Sequence, residues 1–226
     1  MGSGRYTIVE RSRLPRGPHR LTRAAVSAVQ RNQLSWAAIE VVAQIGYRPL
    51  TVADIIGRAR IPRTRFYELF DSEEDCFAAG FGQAMRMAES RLDWAVENAP
   101  TRELPDVLYA SLRGYLSFLA DEPSMTKALH VETLSAGERL TEQRSHVERV
   151  FARRIRTAYL RARAQGEPYP HVPDPVFDLL VGGIDHRVRA CLRMRGASAL
   201  PALAPTLHQA TMALLSRPDY RSNVVA

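Results

Sequence analysis

Apolar residues recur every three or four positions along most of the chain, and nowhere do they alternate for long enough to suggest a strand. Leu34, Ala37, Ala38, Val41, Val42 and Ile45 share one face and predict a helix over about Gln33–Ile45. Before it, Leu21–Gln30 is expected to form a separate short helix behind a Thr22 cap. After Gly46, Thr51 takes an N-cap position ahead of Val52, Ile55 and Ile56, which are again at helical spacing. The pattern breaks at Arg60–Ile61–Pro62. A second short helix then runs over Pro62–Phe70 and carries Arg63, Thr64, Arg65 and Tyr67. Two short helices with a tight turn, the second opening on Pro and dense in Arg, read as a helix-turn-helix with its recognition helix.

A long helix is expected from Asp71–Ser72 to Asn98–Pro100. Ser72 and Asp75 have capping-box spacing, and Glu73, Glu74 and Asp75 suit the positive end of the helix dipole. Its stripe is Phe77, Phe81, Met85, Ala88, Leu92 and Val96. Further helices are predicted over Val107–Ala120, Ser124–Ser135, Glu138–Gln165, Pro175–Met194 and about Pro205–Leu215, with a Pro-rich loop at Gly166–Asp174. The fold class is all-α.

Composition narrows the class without naming it. At 226 residues, 46% hydrophobic and 24% charged, the chain can bury one or two cores. No apolar run approaches the roughly 18 residues of a membrane span, so a cytoplasmic location is expected. Cys76 and Cys191 form no CxxC pair, which argues against a disulfide scaffold or a zinc ribbon. Only Lys127 among the 31 basic residues is a lysine, as expected of GC-rich coding.

The placement of charge says more than its total of +7. Residues 1–70 hold 12 arginines against Glu10, Glu40, Asp54 and Glu68, a net +8, whereas residues 71–226 net −1. The basic end is therefore expected to meet a polyanion. On a recognition helix Arg63, Thr64 and Arg65 are candidates for base edges, Arg reading guanine O6 and N7 through its fork. Tyr47, Tyr67 and the Thr51 hydroxyl are candidates for phosphates. Arg16 and Arg20, with Arg11 and Arg13, belong to a Gly/Pro/Arg arm suited to phosphates or the minor groove.

Gly46–Tyr47, Thr51–Val52, Ile55, Ala59, Ile61, Phe66–Tyr67, Phe70 and Glu74–Asp75–Cys76–Phe77 together resemble the TetR family of bacterial transcriptional regulators. Leu14–Leu21 (L-P-R-G-x-H-x-L) and Gln30–Arg31 resemble an actinobacterial subgroup of it, as does Val181–Asp185 near the end. The match is strong over about residues 14–82 and schematic beyond. Four positions depart from the family pattern: Arg60 replaces the turn glycine, Pro62 a capping serine, Glu73 a phosphate-touching lysine and Arg65 a threonine.

The resemblance implies a division into a basic arm with a short helix (1–30), a helix-turn-helix DNA-binding domain (31–78), an effector-binding and dimerisation domain (79–220) and a tail (221–226). It implies a homodimer on a palindromic operator, most often a repressor, released by a small and largely apolar effector. Candidate effector residues are Trp94, Tyr109, Arg113, Phe118, Met125, Phe151, Tyr159 and Phe177, with Met87, Tyr115 and Glu132 as further candidates. Candidate dimer residues are Gly182, Gly183, Ile184, Val188, Leu192, Leu207, Thr211 and Leu214, with Val181.

Enzyme signatures are missing: the sequence has no GxGxxG after a strand, no Walker loop, no GxSxG and no HExxH. His130 and Glu132 stand two apart on an expected helix and point apart, so no metal is expected there, and no cofactor is implied. Two rivals remain at this level. One is a ligand-binding or interaction protein on the same scaffold with a weakened DNA head, favoured by Arg60 and Glu73. The other is a nucleoid-type binder without sequence preference.

Overall fold

The Thr22 hydroxyl accepts the Ala25 N–H at 3.2 Å and starts a helix that runs unbroken to Ile45. The expected break near residue 31 does not occur. Gln30, Arg31, Asn32 and Gln33 lack apolar periodicity, yet no Gly or Pro interrupts them. Their side chains bond to other elements: Asn32 to Gln83, Arg31 to the Leu69 carbonyl and Gln30 to Arg65. The computed structural model describes residues 22–132 and 138–216, the side chains of Glu138 and Arg139 excepted. Arg11, Arg13, Arg16 and Arg20 lie outside them.

The helices, in chain order, are α1 (Arg23–Ile45), α2 (Val52–Ala59), α3 (Arg63–Tyr67), α4 (Glu73–Glu97), α5 (Leu104–Asp121), α6 (Pro123–His130), α7 (Glu138–Ala164), α8 (Asp174–Arg195) and α9 (Ala204–Leu215). A short 3-10 stretch, Ala197–Leu203, joins α8 to α9 and was not foreseen from the periodicity. No strand occurs among the described residues, so the fold is all-helical as expected. None of the described helices is long and apolar enough to cross a membrane. The chain divides into two compact units. The first comprises residues to Arg86 with the stretch from Lys127 to Gly137; the second comprises Met87–Thr126 and the chain from Glu138 on.

In the first unit every residue from Gln33 to Ala43 is buried, which makes α1 the centre of the packing. α2 packs on α1 and α3 on α2. Leu34, Ala38, Ile55, Phe66, Phe70 and Phe77 supply the core, with Phe66 and Phe70 5.8 Å apart and Tyr47 edge-on to Phe77 at 5.2 Å. Gly80 of α4 lies so close to α1 that a Cβ there would stand 2.6 Å from the Ser35 carbonyl oxygen. Lys127 donates to the Ala43 carbonyl at 2.7 Å, satisfying one of the carbonyls left open at the end of α1.

In the second unit α5 packs against α7, α9 and the 3-10 stretch, and α7 pairs with α8. Leu104, Leu108, Ala152, Tyr159, Phe177, Leu180 and Leu215 belong to one buried cluster. The His208 ring nitrogen lies 2.9 Å from the Pro105 carbonyl, with Tyr109 edge-on to the ring, and this fastens α9 to the start of α5.

Candidate functional site

The helix pair is built as its sequence suggests, with one tight corner. Thr51 and Asp54 cap α2 reciprocally: the Thr51 hydroxyl accepts the Asp54 N–H at 3.3 Å, and Asp54 accepts the Thr51 N–H at 3.1 Å. Arg60 ends α2 in the left-handed region, at φ 56° and ψ 43°, the conformation that the replaced glycine would take without strain. Pro62 precedes α3 as its N-cap instead of forming its first helical residue, and no side chain caps that end. α3 is only five residues long.

Phe66 is fully buried and fixes one side of α3, while Arg63, Thr64 and Tyr67 lie exposed on the other. The Arg63 guanidinium donates to the Tyr67 hydroxyl at 3.2 Å and lies 5.6 Å from the centre of its ring. Thr51 is exposed at the start of α2, and Tyr47 is half-buried against Phe77. Of the candidate residues, Arg63 thus offers an exposed cation, Thr51 and Thr64 hydroxyls and Tyr67 a phenol.

Arg65 differs from its neighbours. Its Nε donates to Gln30 Oε1 at 2.8 Å, its Nη2 to Ser27 Oγ at 2.5 Å, and its Nη1 to Glu68. Arg58 and Arg31 are likewise committed inside the unit. Arg58 pairs with the buried Glu40 at 2.5 Å. Arg31 lies 4.0 Å from the centre of the Phe70 ring and bonds to the Leu69 carbonyl. Three of the arginines in the basic N-terminal tally thus hold the unit together. Glu68 apart, their acceptors are 18 to 38 residues away in sequence, and no local pattern announces them.

The candidate effector residues of the second unit do not gather in one place. Phe151, Tyr159 and Phe177 meet in the apolar cluster, with Tyr159 and Phe177 5.7 Å apart. Phe118 and Met125 are buried. Trp94, by contrast, is 62% exposed, Tyr109 stands at the surface against His208, and Arg113 is exposed. A polar group unforeseen from the sequence sits between α7 and α8. Asp185 Oδ2 receives Arg144 Nη2 at 2.5 Å and Arg189 Nη2 at 3.1 Å, each side chain less than a fifth exposed. Arg144 also pairs with Glu148 at 3.2 Å. The Tyr115 hydroxyl is held well above its ordinary range by burial, with Asp185 adding to the effect.

The candidate dimer residues fall on two faces. Gly182 and Gly183 open to space, with nothing within 4 Å of a Cβ at either. Val188 is fully buried, Thr211 and Leu207 are buried, and Ile184, Leu192 and Leu214 are half-buried within their own chain. The face of α8 left open is instead marked by Leu179, 64% exposed, Gly182, Gly183, His186 and Met194, 82% exposed. On α9, Thr206, Gln209, Ala210 and Ala213 are exposed. Of the candidate dimer residues, Gly182 and Gly183 thus lie on the open face of α8, and the others pack wholly or partly within their own chain.

No family model matches the sequence, and no curated protein matches it. Solved structures do match. FadR from Bacillus halodurans, a fatty acid degradation regulator, superposes with a TM-score of 0.73 at 18% identity, over 85% of this chain and 97% of that one. The transcriptional regulator FadR from Bacillus subtilis, in complex with stearoyl-CoA, gives 0.71 at 18% identity, over 81% and 97%. TylP, a TetR regulator from Streptomyces fradiae, gives 0.61 at 22% identity, over 87% and 90%. The chain has the fold of these helical regulators.

Proposed function

We propose that this protein is a sequence-specific DNA-binding regulator of the TetR type that acts as a homodimer and responds to a small, largely apolar effector. The observation that carries the reading is the face of α3: Arg63, Thr64 and Tyr67 stand exposed on a helix whose other side is fixed by the buried Phe66. A short helix held rigidly with cationic and hydroxyl groups outward is the form that enters a major groove. The rest of the machinery follows. Thr51 and Tyr47 touch phosphates, and Arg16 and Arg20 extend the contact along the duplex.

One such helix reads few base pairs, so useful discrimination requires two. The open face of α8, with Leu179, Gly182, Gly183 and Met194, supplies the surface for a second copy, and two glycines without neighbours allow close approach of backbones. A two-fold dimer reads a palindrome. The apolar cluster around Phe151, Tyr159 and Phe177 is the part of the second unit suited to an apolar effector. The stearoyl-CoA complex of the Bacillus subtilis neighbour supports an effector with a long hydrocarbon part. Repression relieved by that effector is the outcome we assign.

Selection of bound sites from a random duplex library tests this, with affinity then measured against salt for the winner and a scrambled duplex. A palindromic winner bound about a thousandfold more tightly than the control supports the reading. Equal and steeply salt-dependent affinities point to a binder of phosphates alone. Absence of binding, with the effector-binding unit intact, points to a ligand-binding protein with a weakened head, the reading that Arg60 and Glu73 favour. Gly183→Trp separates the dimer from the fold: it is expected to give a folded monomer that loses the palindrome.

A further inference from the structure

We infer that Arg65 positions the recognition helix and does not read a base, so that discrimination within α3 falls to Arg63 and Thr64. The inference rests on the reading of the first unit as a DNA-binding head.

Little within α3 itself holds the helix in place. At five residues, with Pro62 at its start and no capping side chain, it has almost no hydrogen-bond ladder of its own. Its orientation is set by contacts outside it. Phe66 provides an apolar anchor, which is tolerant of rotation about the ring axis. Arg65 provides a directional one. Ser27 and Gln30 stand three apart on α1 and so share a face, and the guanidinium bridges both while its third nitrogen bonds to Glu68.

Each guanidinium nitrogen of Arg65 therefore already has an acceptor in the protein, and the side chain is only 25% exposed. Reading guanine requires presenting a two-pronged edge outward. To do so Arg65 has to leave α1, giving up the contacts that orient the helix it would read from. Arg63 faces no such conflict, since it is exposed and rests against Tyr67, itself exposed. A planar fork meeting several separate acceptors is also a task that lysine's single ammonium does not perform.

The decisive measurement is a specificity profile: affinity for the selected duplex and for every single-base-pair variant of it, across a set of substituted proteins. Arg65→Ala and the double variant Ser27→Ala/Gln30→Ala are each expected to weaken binding about tenfold, by a similar factor at every base pair. The triple variant loses no more than Arg65→Ala alone, and Arg65→Lys does not restore affinity. Arg63→Ala relaxes the preference at one base pair of each half-site. Amide exchange of α3 in the free protein provides a readout without DNA, and Ser27→Ala/Gln30→Ala is expected to speed it.

A single relaxed base pair in Arg65→Ala, with Ser27→Ala/Gln30→Ala leaving affinity, profile and exchange unchanged, overturns the assignment. If the unsubstituted chain prefers no duplex at all, the DNA-binding reading itself is refuted, and this inference with it. That outcome is distinct from a chain that binds specifically and reads through Arg65.

Discussion

Glu40, buried in the middle of α1, receives both Nε and Nη2 of Arg58 on a single carboxylate oxygen, at 2.6 and 2.5 Å. Removing the arginine strands a carboxylate among apolar residues. Arg58→Ala is expected to cost about 2 kcal/mol, below the usual penalty for breaking a fully buried pair because Arg58 itself is partly open to water. Urea denaturation of Arg58→Ala, Glu40→Ala and the double variant checks this. The double variant should lose less than the sum of the single ones, and strict additivity would show that the pair contributes nothing.

At Arg60 the left-handed backbone is held by a side chain that disfavours it. Arg60→Gly is expected to stabilise the fold by about 1 kcal/mol, since glycine adopts this conformation freely. A raised thermal midpoint is the sign to look for. An unchanged or lowered one would mean that Arg60 makes a compensating contribution.

Two glycines in helices should respond in opposite directions. Gly57→Ala, where nothing lies within 4 Å, is expected to stabilise by about 0.5–1 kcal/mol through helix propensity. Gly80→Ala must push the Ser35 backbone and the Ile39 side chain away, from 2.6 and 2.9 Å, and is expected to destabilise by about 1–3 kcal/mol. Equal effects at the two sites would contradict the close approach of α4 to α1.

Cys76 predicts an alkaline weakness. Burial holds its thiol well above the ordinary 9.0, so the folded chain keeps a proton that the unfolded chain gives up. The stabilisation is fully present below pH 9 and is lost as pH rises beyond it; the raised Tyr115 hydroxyl adds to the loss above its ordinary 10.0. Denaturant unfolding of the reduced protein should therefore show stability that holds up to about pH 9 and declines above it, with a shallower decline in Cys76→Ala. The native thiol should also resist thiol reagents until the chain unfolds.

Most of the α-helices and the caps at Thr22 and Thr51 were legible in the sequence, because each depends on residues within one or two turns of one another. The continuity of α1 was not, since polar residues such as Asn32 and Gln30 gain their structural role only from Gln83 and Arg65, far along the chain. The same distance hid the difference between Arg63, which is exposed, and Arg65, which is tied down. In the second unit the exposed face of α8 was only partly legible, because Leu179 and Met194 are apolar yet exposed, and periodicity does not separate such residues from core. Most of the candidate effector residues are aromatics on helices, and an aromatic at helical spacing serves equally in a packed cluster or at a surface, as Tyr159 and Trp94 show.

Lys127 is the chain's single lysine, and its ammonium rests 2.7 Å from the last-turn carbonyl of Ala43, with Glu132 at 3.7 Å. Amine-directed chemistry therefore addresses one side chain only, at the point where α1 ends. Acylation there removes a donor that the helix end uses, and the rate of acylation reports how often that donor lets go. A chain with 30 arginines and one lysine thus carries an intrinsic label site, and a mass spectrometer can follow the end of its central helix with no engineered probe.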